Sequence, residues 1–201
     1  LLLRFGGETA VSVYGVLMYA DGIIQPLLYG ACDSLQPAIG FNWGAGEYKR
    51  ALAIEKYCFT ACAVLSVLFA VILMCVPEGI TKLFISSPDA AVTEMARSAL
   101  MIFACTYFVR WISFAAQAFF LAIGKSAQAT ALSVCVALVF PLLLMGIFYA
   151  LDLYGLWINT PVTAGIAGVM AIALLAAFFV KFKKLPPPEP SLSDAENSDA
   201  R

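Results

Sequence analysis

The sequence predicts an all-α integral membrane protein of about five transmembrane helices, and three observations carry that prediction. Of the 201 residues, 62% are hydrophobic and 12% charged, whereas a soluble domain has roughly half its residues apolar and about a quarter charged. Mean hydropathy is +0.90, which leaves more apolar surface than the core of a soluble fold can hide. The apolar residues also fall in long runs, close to the ~20 residues a helix needs to cross a bilayer. They lack the period-two alternation of a membrane β-barrel.

Spans are expected over 9–32, 57–76, 99–123, 127–151 and 156–180. Pro77 ends the second, since proline offers no amide to a continuing helix, and Gly124 ends the third. The connections are short and rich in Gly, Pro, Ser and Asp, as tight reversals between antiparallel helices require. Ser86-Ser87-Pro88-Asp89 reads as the start signal of a helix that begins near Ala90 and runs on into the third span. The opening Leu1-Leu2-Leu3, without Met or signal peptide, reads as the end of a preceding span and the chain as a fragment. Residues 1–184 then form one transmembrane unit. Residues 185–201, with Pro186-Pro187-Pro188 and a Ser/Asp/Glu/Asn mix, read as a disordered cytoplasmic tail.

Orientation follows from the cations, because Lys and Arg concentrate in cytoplasmic loops. Lys49, Arg50, Lys56, Lys125, Lys181, Lys183 and Lys184 fall on one side, and Arg4, Lys82 and Arg97 on the other. The first group marks the inside. The expectation is a multi-pass protein of the cell (plasma) membrane, with a lipid bilayer as partner and a cytoplasmic C-terminus.

Several chemistries are absent from the composition. Histidine does not occur, which removes His-based acid–base catalysis, Ser-His-Asp triads and His-ligated zinc. Net charge is −1, so no nucleic-acid partner is expected. Cys32, Cys58, Cys62, Cys75, Cys105 and Cys135 all sit in apolar runs without a CxxC. Cys58 and Cys62 share a helix face, yet they read as small apolar packers rather than half of a metal site. No enzyme, metal or organic cofactor is expected.

Two ionisable residues lie near the middle of spans, Asp21 in the first and Arg110 in the third. A charge at mid-bilayer costs at least a few kcal/mol, so such residues line a cavity or pair with a partner. On a helical wheel Tyr14, Met18, Asp21, Gln25, Cys32 and Gln36 fall in one narrow sector, and Thr106, Arg110, Ser113 and Gln117 in another. Both helices therefore carry a polar stripe. The bland reading is a static Asp21–Arg110 bridge that holds two helices together. The functional reading makes the pair conditional, with Asp21 exchanging Arg110 for a proton or a cationic substrate.

The stretch Gln36-Pro37-x-x-Gly40-x-Asn42-x-Gly44-Ala45-Gly46 reads as a kinked cytoplasmic helix end. Its glycines are spaced for close backbone approach to a neighbour. It lacks the Gly-Lys-Ser/Thr ending of a P-loop, so it is no nucleotide cradle.

This stretch resembles the signature in the second half of multidrug and toxic compound extrusion (MATE) transporters. Gly6-Gly7-Glu8-x-Ala10-Val11-x-x-Tyr14-Gly15-Val16 resembles the start of that family's eighth helix. Phe120-x-Ala122-Ile123-Gly124-Lys125 resembles the end of its tenth. Pro141-Leu142-Leu143 and Gly155-Leu156-Trp157-x-x-x-Pro161 resemble its last helix pair. The resemblance covers nearly all of 1–184, in order. It implies helices eight to twelve of a twelve-helix, two-lobe transporter, with an N-terminal lobe of the same protein as partner. It further implies secondary efflux of small organic, often cationic compounds in exchange for H⁺ or Na⁺. Cys135 stands where many members carry an arginine, and Arg110 lies in the helix where some carry a coupling acid. A lipid or oligosaccharide flippase of the same superfamily is the alternative reading. An intramembrane protease would need paired aspartates, Ser/His or a zinc motif. A non-transporting scaffold would not need two polar helix faces.

Overall fold

The computed structural model describes residues 2–85 and 89–183. The expected tail and the Ser86–Pro88 part of the start signal lie outside the described residues. Eight α-helices run in order: α1 (Leu2–Asp33), α2 (Gln36–Gly44), α3 (Tyr48–Cys75), α4 (Pro77–Phe84), α5 (Ala90–Ala122), α6 (Ser126–Val134), α7 (Phe140–Ile147) and α8 (Asp152–Phe182). No strand occurs among the described residues. The expected spans all fall on helical segments, and Pro77 and Gly124 end α3 and α5 as the sequence predicts. The helix expected from near Ala90 is continuous to Ala122. Asp89 stands at its N-cap, where the backbone carbonyl, and not the side chain, accepts from Thr93.

Among the described residues four helical stretches are long and apolar enough to cross a membrane: Leu2–Gly44, Tyr48–Cys75, Ala90–Ala122 and Ser126–Phe182. The last spans 57 residues. As a straight helix it would reach about 85 Å at 1.5 Å per residue, far beyond the ~30 Å of a hydrocarbon core. It folds back on itself instead. A 3₁₀ turn over Phe148–Leu151 leads to Asp152, whose φ of 51° breaks the helical path. Asn159 on α8 then donates to the Pro141 carbonyl on α7 at 3.0 Å. Gly155 lies so close to Phe148 that a Cβ there would overlap its carbonyl. The two expected spans 127–151 and 156–180 are thus the legs of one hairpin.

Two expectations are corrected. The 152–155 connection between the last two spans is the first turn of α8, because the reversal is finished by the 3₁₀ turn and Asp152. The first leg is not one regular helix, because Cys135–Val139 winds as a π-helix just before Pro141. Pro141 has no amide to donate and its ring crowds the preceding turn, and a wider turn upstream accommodates that defect.

α5 is the central post. Its Ala99, Leu100, Phe103, Ala104 and Tyr107 pack with α1 and α3 in one core, while Ala116, Phe119 and Phe120 join α2, α6 and α8 in a second. Trp43 of α2 anchors the second core, meeting Phe119 of α5 and Phe178 and Phe182 of α8 at centroid distances of 6.1, 5.8 and 5.2 Å. Tyr48 also touches Phe182, which brings Lys49 and Arg50 to the same end as Lys181. Lys82 and Arg97 share a pocket at the other end. These five cations fall in the two groups read from the sequence.

The Gln36–Gly46 stretch is folded differently from the expectation. Pro37 starts α2 and does not kink a helix already running, since the chain breaks before it at Ser34–Leu35. Only Gly40 makes a close approach: a Cβ there would sit 3.0 Å from the Ala122 carbonyl oxygen, whereas Gly44 faces open space. Gly46, with φ of 79°, ends α2, and the following amide of Glu47 bonds back to Asn42 at 2.9 Å. Gly124, with φ of 75°, does the same for α5, where Lys125 bonds back to Phe120 at 2.7 Å. Both are left-handed helix stops, which a residue with a Cβ adopts at a cost.

Candidate functional site

α1, α5, the bent first leg of the hairpin and α8 enclose a cavity of about 270 Å³. α1 supplies Met18, Asp21 and Gln25 from successive turns of one face, and α5 supplies Thr106, Arg110, Ser113 and Gln117 from another. Six of the seven residues expected to form a site thus meet around one space: Asp21, Gln25, Thr106, Arg110, Ser113 and Gln117. Tyr14 does not join them. It lies further along α1, stacks on Trp157 at 6.4 Å and lines an adjoining cleft that shares Pro141, Asn159 and Thr160 with the cavity.

The predicted stripe on α1 is also shorter than the wheel suggested. Cys32 turns to α3, and Gln36, on α2, bonds to Asp33. The physical reason is that the regular 100° phase does not survive the chain break at Ser34–Leu35, and Pro26 already interrupts the hydrogen-bond ladder upstream.

Asp21 and Arg110 form the ion pair, Arg110 Nη1 to Asp21 Oδ1 at 2.9 Å, with the Arg110 side chain 15% and the Asp21 side chain 13% exposed. The hydroxyl of Tyr107 donates to the same Oδ1 at 2.6 Å. No described residue donates to Oδ2. Charge-assisted bonds of this kind are roughly twice as strong as neutral ones, so Asp21 is held on one oxygen and free on the other. The Arg110 guanidinium also lies over the Phe114 ring, 5.2 Å from its centroid, which helps hold it beside the cavity.

Sequence reasoning missed Tyr107. It is a large aromatic residue in an apolar run, and it is fully buried, hydroxyl included. It also missed the α8 wall, where Asn159, Thr160 and Thr163 face the cavity. There the signal was present as a polar cluster around Pro161, within the first turns of the expected 156–180 span. Thr163 donates to Asn159 Oδ1 at 3.1 Å, and Asn159 donates onward to Pro141. Thr106 Oγ1, by contrast, is buried on the cavity wall without a hydrogen-bond partner.

Outside the cavity, Cys58 and Cys62 are buried in the first core, as small apolar packers are, and Cys32 departs from expectation. Cys58 and Cys62 on α3 are joined by Cys32 from the last turn of α1, and the three sulfur atoms all lie within 4.8 Å of one another. Cys32 was placed on the cavity stripe and Cys58/Cys62 on a packing face, so their meeting is a product of α1–α3 docking.

A bundle of long apolar helices around a polar cavity that holds an ion pair is the architecture of a polytopic membrane protein. The family profile described as MatE matches residues 1–147, and the chain belongs to that family. Its fold is similar to that of a solved "multidrug resistance MATE family transporter of the MOP superfamily" in an outward-facing conformation. The TM-score is 0.82 at 18% identity, covering 92% of this chain and 42% of the other. A "MATE in complex with MaL6" gives the same figures. The "MATE multidrug transporter DinF-BH in complex with R6G" aligns at TM-score 0.77 and 26% identity, over 88% of this chain and 39% of the other. The chain spans about two-fifths of the length of these structures. No curated protein matches the sequence.

Proposed function

We propose that this chain supplies most of one lobe of a secondary antiporter that exports small organic, often cationic compounds in exchange for H⁺ or Na⁺. Asp21 is the exchangeable charge. The observation that carries this reading is the arrangement at Asp21: Arg110 and Tyr107 occupy one carboxylate oxygen while the other accepts nothing, at the wall of a polar cavity. A cation arriving in that cavity competes with Arg110 for the carboxylate. A ligand shifts an equilibrium only by its differential affinity for the two states, and a single carboxylate contested by two cations provides that difference. Gln25, Thr106, Ser113 and Gln117 supply neutral polar contacts around it, and Phe103 and Phe114 supply apolar and aromatic surface for an organic cation. The membrane is the cell membrane, with the Lys49/Lys125/Lys181 end in the cytoplasm.

The test is Asp21→Asn in the complete transporter. Coupled efflux is expected to be abolished, with membrane expression retained. A static bridge behaves differently. Removing one partner of a buried pair costs about 3–5 kcal/mol, so each of Asp21→Asn and Arg110→Gln would lose expression. The double variant Asp21→Asn/Arg110→Gln would recover it. Recovery of transport as well as expression in the double variant refutes the antiport role of Asp21.

A further inference from the structure

The geometry points to a thiolate metal site, separate from the cavity, in which Cys32, Cys58 and Cys62 hold a thiophilic d¹⁰ cation between α1 and α3. Three sulfurs bound to one ion at the ~2.3 Å typical of zinc–thiolate bonds stand about 3.8–4.0 Å apart. The three here lie within 4.8 Å of one another, the Cys32–Cys62 pair at 3.1 Å, so shifts of under an ångström bring all three onto one ion. All three residues are at most 1% exposed, and the dry surroundings strengthen the attraction between a cation and its thiolates.

A buried acid stands beside the three sulfurs. Glu55 precedes Cys58 by one turn and Cys62 by two, on the same face of α3. It is 6% exposed, and both its carboxylate oxygens are buried without a hydrogen-bond partner. A buried carboxylate with no donor and no counter-charge is an expensive arrangement. Three thiolates already outweigh the charge of a mono- or divalent cation, so Glu55 is accommodated beside the site only as the neutral acid.

Donor type identifies the class of ion. Thiolates select soft and borderline cations such as Cu⁺, Zn²⁺ and Cd²⁺, and hard cations such as Mg²⁺ and Ca²⁺ prefer oxygen. By the same preference a sulfur site does not serve Na⁺, so it is distinct from any coupling-ion position. As each sulfur takes up the metal its thiol proton is released to solvent. Cys32 lies in the last turn of α1, two residues before the break at Ser34–Leu35, which gives the ion a short way in. Bound there, the metal ties the end of α1 to α3.

The experiment is titration of the purified chain, kept in detergent with a phosphine reductant, with Cd(II) against a competing chelator. The readings are thiolate-to-cadmium charge-transfer absorbance and mass-spectrometric protection of each cysteine from alkylation. The expected result is one Cd(II) per chain, with Cys32, Cys58 and Cys62 protected and Cys75, Cys105 and Cys135 still reactive. The Cys75→Ser/Cys105→Ser/Cys135→Ser variant should bind as the parent does. Each of Cys32→Ser, Cys58→Ser and Cys62→Ser should weaken binding by more than the roughly 10–100-fold that loss of an outer-shell partner costs. Undiminished helical circular dichroism in each variant shows that the loss is not unfolding. Failure of the parent chain to take up Cd(II), undiminished binding after all three of those cysteines are replaced, or a Cys32–Cys62 disulfide that persists under the reductant overturns the proposal.

Discussion

Asp21 illustrates how far a single residue can be read in isolation. An acid in mid-span demands a cavity or a partner, and Arg110 was the cation available at matching depth. That part was legible. Tyr107 was not, because a tyrosine in an apolar run carries no mark showing which way its hydroxyl points, and only the docking of α1 on α5 brings it to 2.6 Å from Asp21. The bond has a measurable consequence. Tyr107→Phe keeps the ring, including its edge contact with Phe103 at 5.6 Å, and deletes only the donor. Hydrogen bonds to charged groups contribute about 1.5–3 kcal/mol, so the variant should lose stability of that order and unfold at a lower temperature in detergent. A melting temperature equal to that of the parent would show that the hydroxyl does not hold Asp21.

Helix stops were the most legible features of the elements, because their causes are local. Pro77 and Gly124 act through their own backbone chemistry, and the helix from Ala90 follows from its apolar run. The π-helical turn before Pro141 was not legible, since several helical windings tolerate a proline and the neighbours choose among them. Glycine spacing in α2 was misread for a related reason: a small residue permits close approach, but only the packing of α2 on α5 decides which one is used. Substitution separates the roles. Gly40→Val pushes a branched side chain against the Ala122 carbonyl, and overpacking of this kind costs about 1–3 kcal/mol. Gly44 has nothing near its missing Cβ, so Gly44→Ala should leave stability unchanged or slightly raised. Thermal unfolding of the two variants side by side is the check, and equal melting temperatures would mean that the α2–α5 contact is looser than described.

The cation distribution is a property of the whole molecule. The fold gathers Lys49, Arg50 and Lys181 at one end and Lys82 and Arg97 at the other, and the richer end is expected inside. In intact cells, with Cys75 and Cys105 replaced by Ser, a membrane-impermeant maleimide should label Lys82→Cys and spare Lys49→Cys. The reverse pattern inverts the topology. A second prediction concerns completeness. Alternating access needs two repeats or bundles moving against each other around a site at their interface, and this chain matches about two-fifths of the solved structures it resembles. Expressed alone it should insert, since each helix satisfies its own backbone, but it should not pump. Energy-dependent dye efflux above an empty-vector control would contradict this, and would favour two copies assembled as a symmetric pair.

What the sequence determined by itself was whatever depends on composition and local periodicity: helices in a membrane, their approximate ends, the polar faces of α1 and α5, and the separation of charge. These are set by transfer free energies and backbone chemistry acting within a few turns. Tertiary structure alone decided which faces meet. It joined Tyr107 and the α8 residues Asn159, Thr160 and Thr163 to the Asp21–Arg110 cavity and left Tyr14 outside it. It also drew Cys32 away from the cavity to Cys58 and Cys62. The physical reason is that a helical period fixes direction only relative to its own axis. The breaks at Gly7, Ser34–Leu35 and Asp152 reset that direction, and packing between helices sets it anew.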